Sequence, residues 1–297
     1  MTVTKEAKDR KDGSFLEVFK YKDLLYQLVA RDIKLKYRRS FLGYVWSILN
    51  PLLIMIIMSI VFSFLFQRGI EFFPLYLLAG RSLFEFVHNA TGKALGAITD
   101  NTALLKKTYV SKFMFPMSKI TASMVDFVFS MGALIIVMIF YSIKDGRVLF
   151  SFWNLGIFFV VIEAYVFAMG LGFLLAQLHV FFRDIRYIYN AFITMWIYCS
   201  AIFYDVGMFY DKAEKQIAAG ATPYALYLAK IIEYCNPLYI YIKQFRYFIW
   251  VPTIDTVPSW AMVNVWDFVL GIAYAIIMFA IGTFFFRKSQ DKFILYI

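Results

Sequence analysis

The sequence predicts an all-α polytopic membrane protein, and three observations lead there. Of the 297 residues, 62% are hydrophobic and 21% aromatic, where a soluble chain is about half apolar. Several uncharged runs exceed the roughly 18 residues that mark a bilayer-spanning helix. The 30 Lys and Arg against 20 Asp and Glu sit beside those runs. That placement points to membrane orientation rather than to a nucleic-acid surface.

The elements follow in chain order. Residues 1–40 are expected to form a cytoplasmic N-terminus, and residues 41–297 a six-span transmembrane domain. No cleavable signal peptide is expected, because residues 1–23 are polar and the first apolar run is too long for one. Residues 19–37 read as an amphipathic helix on the membrane surface. Tyr21, Leu24, Leu25, Leu28 and Leu35 fall near one face, with Lys20, Asp23, Gln27, Arg31 and Lys34 opposite. Asp32 and Lys36 lie near the apolar side, where an i,i+4 pair would partly compensate them.

From Ser40 to Gln67 no charge occurs, and Gly43, Trp46 and Pro51 punctuate the run. Spans are expected near 41–66, 72–92, 120–143, 151–178, 188–204 and 262–286. The first would be about 39 Å long, so it must tilt or bend, with Pro51 as the bend. With the N-terminus inside, the inner segments hold 21 Lys and Arg and the outer ones 8, which favours both termini in the cytoplasm. In the outer segment 205–261, residues 205–222 read as a loop. Residues 223–235 and 236–250 read as two short re-entrant helices, tolerated where protein or water covers their backbone.

The motifs that are missing limit the chemistry. The nearest approach to a phosphate-binding loop, TGKALG at 91–96, has Val87 where the upstream glycine belongs and Ala94 in place of Ser or Thr. Neither H-E-x-x-H, G-x-S-x-G nor C-x-x-C occurs. His88 and His179 do not make a metal set, and Cys199 and Cys235 read as unpaired thiols. No catalytic, cofactor-binding or metal residues are therefore assigned. Charges inside the spans are Arg81, Glu85, Asp126, Glu163 and Asp267. Each costs a few kcal/mol at mid-bilayer unless it is paired or faces water. Arg81 and Glu85, four apart, are placed to pair on one helix face.

The run RDIKLKYRRSFLGYVWSILNPL (31–52) resembles the start of the membrane subunit of ABC-type polysaccharide exporters, the family that exports O-antigens, capsules and teichoic acids. Arg31, Asp32, Lys34, Tyr37, Ser40, Gly43, Trp46 and Pro51 carry the resemblance. NTALLKKTYVSKFMFPMSK (101–119) is similar to the family's cytoplasmic link between the second and third spans, and VFFRDIRYI (180–188) to its Arg-Asp turn. The resemblance implies a permease without its own ATPase site, two copies of which pair as a homodimer above two copies of an ATPase subunit that binds ATP and Mg. It also implies a polyprenyl-linked polysaccharide as substrate and the bacterial cytoplasmic membrane as location. Lys106, Lys107, Lys112, Phe115, Pro116, Arg183 and Asp184 are then expected to couple the chain to that subunit. The alternatives are an ABC exporter of a lipid or drug, and a membrane-embedded glycosyl- or acyltransferase. The latter would need clustered Asp, Glu or His at span ends, which the sequence lacks.

Overall fold

A computed structural model describes residues 15–38, 40–66, 70–107 and 110–296, and everything below concerns those residues. After a 3-10 turn, α1 (Lys22–Tyr37) runs to Arg38, whose backbone is extended. Gly43 takes a positive φ of 49°, and its N–H is accepted by Ser40 Oγ at 3.2 Å. This is the one position in the run where lacking a Cβ matters. The turn launches α2 (Trp46–Phe66). Twenty-one residues rise about 32 Å, close to the hydrocarbon thickness, so the tilt expected of a longer span is not required. Pro51 lies in the second turn of α2.

The remaining helices are α3 (Phe73–Leu95), the short α4 (Thr102–Lys107), α5 (Met114–Asp145), α6 (Ile157–Phe181) and α7 (Ile185–Cys199). Then come α8 (Gly207–Ala218), α9 (Tyr224–Cys235), α10 (Pro237–Ile249), α11 (Val265–Ser289) and a terminal turn, α12 (Phe293–Tyr296). By length and composition, four stretches can cross a membrane: Gly43–Phe62, Met114–Asp145, Phe152–Phe181 and Ser259–Tyr296. The protein is thus an all-helical, multi-pass membrane protein. α3 is long enough but carries Arg81, Glu85 and Lys93. α7 is 15 residues long, about 22 Å, and falls short alone.

Helices α3, α5, α6 and α11 form the packed centre. α6 and α11 approach so closely that a Cβ on Gly282 would stand 1.9 Å from the Gly170 carbonyl oxygen. Small residues that let backbones touch are how membrane helices gain contact without a hydrophobic driving force. Near the end of this crossing Phe15, Phe113, Phe173 and Phe286 pack edge to face or tilted, with Phe113 and Phe286 centroids 4.5 Å apart.

At the other end, α10 inserts Arg246, which is buried. Its guanidinium donates to the carbonyls of Tyr76 (3.1 Å), Ala201 (2.9 Å) and Ile202 (2.9 Å) and lies 3.5 Å over the Tyr76 ring. Those bonds hold the chain leaving α7, where Ala201 has a φ of 47°. Asn236 starts α10 by accepting from the N–H groups of Leu238 and Tyr239, a side-chain cap that satisfies helix donors.

Two expectations need correction. Residues 205–222 are not a loop throughout, because α8 occupies most of them. Asp205 Oδ1 accepts from the Met208 N–H at 3.0 Å, Lys, Glu, Gln and Ala favour helix, and Gly220 at φ 69° ends the segment. Tyr210 donates to Glu233 of α9 at 2.5 Å, and desolvation together with that carboxylate raises the phenol above its ordinary range. Secondly, Asp32 and Lys36 do not compensate each other along α1. Asp32 pairs with Lys119 at 2.9 Å and Lys36 with Asp126 at 3.0 Å. Both face α5, and the neighbouring helix offers closer partners than the next turn does.

Candidate functional site: a junction of links below a polar cleft

Three polar segments meet at the end of the bundle where α3 and α6 stop and α5 begins. α1 reaches across first, with Arg31 donating to Asn101 Oδ1 at 3.2 Å and Asp32 on Lys119. The link 96–107 comes second. Its Gly96 leaves room for the Asp100 carboxylate and the Arg186 guanidinium, which stand 2.8 and 3.0 Å from where a Cβ would be. The turn 182–186 comes third, held by Arg186 beside His179 (3.5 Å) and by the Thr91–Tyr189 hydroxyl pair at 2.5 Å. The link is thus in side-chain contact with both α1 and the start of α7.

The residues singled out from the sequence divide into two groups here. Lys106, Lys107, Arg183 and Asp184 are exposed and offer both signs of charge to whatever approaches this end. Lys112, Phe115 and Pro116 are turned inward. Lys112 Nζ donates to the Gln290 carbonyl at 2.5 Å and lies 5.9 Å over the Phe293 ring. Burial depresses its pKa, against a smaller opposing pull from Asp291. Phe115 is 1% exposed, and Pro116 sits in the first turn of α5, a position where a missing N–H costs nothing. Lys34 is exposed on α1, Tyr37 is its last residue, and Trp46 opens α2 half-exposed.

Above the junction a cleft of about 340 Å³ opens between α2, α3 and α5. It begins at Lys36 and Asp126 and climbs past Asn89 and Glu85 to Arg81. Asp126 is bracketed by Lys36 and Lys93, each at 3.0 Å. Arg81 Nη2 donates to Glu85 Oε1 at 2.8 Å, and Asn89 Nδ2 reaches Glu85 Oε2 at 3.5 Å. Arg81, Glu85, Asn89 and Lys93 recur every four residues and so share one face of α3. A sequence search could have found that stripe by period; Gly96, Asp100 and Arg186 left no such signal. Elsewhere Asp267 is met by Lys243 at 3.1 Å, and Glu163 is buried against Gln244 and Gly271. Among the described residues no group of His, Cys, Asp or Glu could hold a metal.

Polar links at the end of a helical bundle, with a charged stripe inside it, belong to a multi-pass membrane protein. Comparison with known proteins gives this class a family context. No protein-family model matches the chain. The O-antigen export system permease protein RfbA of Myxococcus xanthus is 27% identical over 208 residues, 70% of this chain and 78% of the relative. The protein of the same name from Klebsiella pneumoniae is 26% identical over 190 residues, 64% and 72% of the two chains. The capsule polysaccharide export inner-membrane protein CtrC of Neisseria meningitidis is 30% identical over 95 residues, 31% and 36% of the two. The chain is thus a homologue of permeases of polysaccharide export, as its motifs indicate.

Proposed function

We propose that the chain is the transmembrane subunit of an ABC exporter that moves a lipid-linked polysaccharide outward across the bacterial cytoplasmic membrane. ATP hydrolysis in a separate subunit drives it. The observation that carries this reading is the match, over 64 to 70% of the chain, to permeases named for O-antigen export. Six crossings are assigned to α2, α3, α5, α6, α7 and α11, with both termini cytoplasmic. Two features support counting α3 and α7. The charges of α3 are paired, which lowers their cost in a bilayer, and the chain leaving α7 stays apolar and ordered on Arg246 as far as Phe203. α9 and α10 dip into the outer face.

A homodimer accounts for the bare helices. Of the most apolar window of Gly43–Phe62, only 6% of the residues are buried within one chain. α2 and α7 also border an apolar groove of about 760 Å³ lined by Phe62, Phe192, Trp196, Phe203 and Phe209. A second copy against that face would enclose an aromatic-walled path, and flat rings suit the C–H faces of sugars. The ATPase subunit, with its ATP and Mg, docks on the exposed Lys106, Lys107, Arg183 and Asp184. Co-expression with ABC-type ATPase subunits from the same host tests the assignment. A stable assembly that hydrolyses ATP is expected, with no hydrolysis by the chain alone. Failure to assemble, or ATPase activity in the isolated chain, refutes it.

A further inference from the structure

The cleft between α2, α3 and α5 sets polar side chains among apolar ones, on helices that the six-crossing assignment places in the bilayer. Paired charges are cheaper in a bilayer than lone ones but still unfavourable against lipid, which favours water or a polar occupant on the open side of the cleft. The occupant's chemistry follows from how the walls are paired. Every charged group of the cleft already has an opposite partner: Arg81 has Glu85 at 2.8 Å, and Lys36 and Lys93 share Asp126 at 3.0 Å. The single excess cation lies at the lower rim, where two lysines share the Asp126 carboxylate, whereas higher in the cleft Arg81 is balanced by Glu85 and makes no strong phosphate site. What remains are groups that both donate and accept. The carboxamides of Asn50 and Asn89 are exposed at the cleft, and the Ser82 hydroxyl, 5% exposed, lines it with no hydrogen-bond partner. Trp46, 44% exposed, adds a flat apolar wall at the lower rim. Mixed donors and acceptors beside an indole face match the hydroxyls and C–H face of a neutral sugar. The volume of about 340 Å³ lies at the small end of ligand pockets, which run from ~300 to ~1,000 Å³.

We propose that this cleft is a sugar-binding stretch of the transport path, in which Asn50, Ser82, Asn89 and the Arg81–Glu85 pair meet the hydroxyls of a neutral glycan and Trp46 packs on a ring face. The proposal rests on the export reading and names where in this chain the polymer touches polar groups. It is tested on the full-length chain in native membrane vesicles. Asn89→Cys is placed in a Cys199→Ser, Cys235→Ser background and exposed to a charged, membrane-impermeant methanethiosulfonate. The reaction is run alone, with the host's own surface glycan freed from lipid by mild acid, and with inorganic pyrophosphate. Asn89→Cys is expected to react, while Ile277→Cys on the exposed apolar face of α11 stays inert. Glycan at twice its dissociation constant is expected to slow the reaction about threefold, and pyrophosphate to leave the rate unchanged. No reaction at 89 while Lys106→Cys reacts would overturn the proposal, as would absence of protection by glycan. Equal protection by pyrophosphate would reassign the cleft to a phosphate-bearing group and equally overturn it. Asn50→Cys serves as the second variant should Asn89→Cys fail to fold. Loss of the export reading is seen separately, as unchanged surface glycan in cells lacking the chain.

Discussion

Gly282→Ala perturbs the contact on which the packed centre depends. The added methyl would stand 1.9 Å from the Gly170 carbonyl oxygen, and a Cβ on Gly170 would meet the Met278 carbonyl at 2.3 Å. Neither obstacle is a flexible side chain. An ordinary contact needs at least 3.4 Å, so α6 and α11 must part by roughly 1.5 Å at the crossing, an overpacking that costs about 1–3 kcal/mol. The methyl also recovers up to about 1 kcal/mol of helix propensity. The separation runs along the most extensive helix pair of the fold, which places the net loss at about 1–2 kcal/mol. For a chain of this size that lowers the unfolding midpoint by about 2–3 °C. Fluorescence-detected size exclusion after heating the detergent-purified protein reads the midpoint. Gly92→Ala is the reference, because its nearest neighbour atom is Tyr189 Cε1 at 3.9 Å, and it should be neutral or slightly stabilising. A Gly282→Ala midpoint equal to that of Gly92→Ala would refute the reasoning.

Three further outcomes are expected. Arg246→Lys keeps a charge but cannot reach three carbonyls at once. It should lose about 2–4 kcal/mol as two acceptors go unpaired, read as a lower unfolding midpoint and faster proteolysis near residues 201–206; wild-type values would contradict the clamp. Single changes Arg81→Gln or Glu85→Gln should reduce export or protein level more than the double change, since each leaves a lone charge; additive losses in the double-mutant cycle would show that the two act separately. Charge reversal at Lys106 and Lys107 should weaken co-purification with the ATPase subunit while membrane insertion stays normal. Normal assembly and export with both reversed would remove the link 102–107 from the coupling surface.

The long apolar runs were readable because a membrane helix needs about 20 uncharged residues in succession, and the Arg81–Glu85 pair was readable because four-residue spacing is local. Contacts between distant segments were not readable. Asp32 and Lys36 each find a partner on α5, a choice made by helix packing rather than by spacing along α1. Lys112 looks like surface charge in sequence, yet it turns inward to the Gln290 carbonyl because the C-terminal turn lies beside it. α8 was read as loop because its charges hid its helix-forming residues. Gly170 and Gly282 are unremarkable in an apolar run and acquire meaning only when α6 meets α11. Arg246 reads as a reason for α10 not to span, and the fold uses it instead to hold the carbonyls that follow α7.

Surface glycan in cells lacking this chain is the most direct measurement of what it does. Deleting its gene should abolish the polysaccharide at the cell surface while lipid-linked polymer accumulates inside. Wild-type chain supplied in trans should restore export, but only where the ATPase subunit is also present. Surface polysaccharide unchanged in amount and length in the deleted cells, with none retained inside, would contradict the assignment.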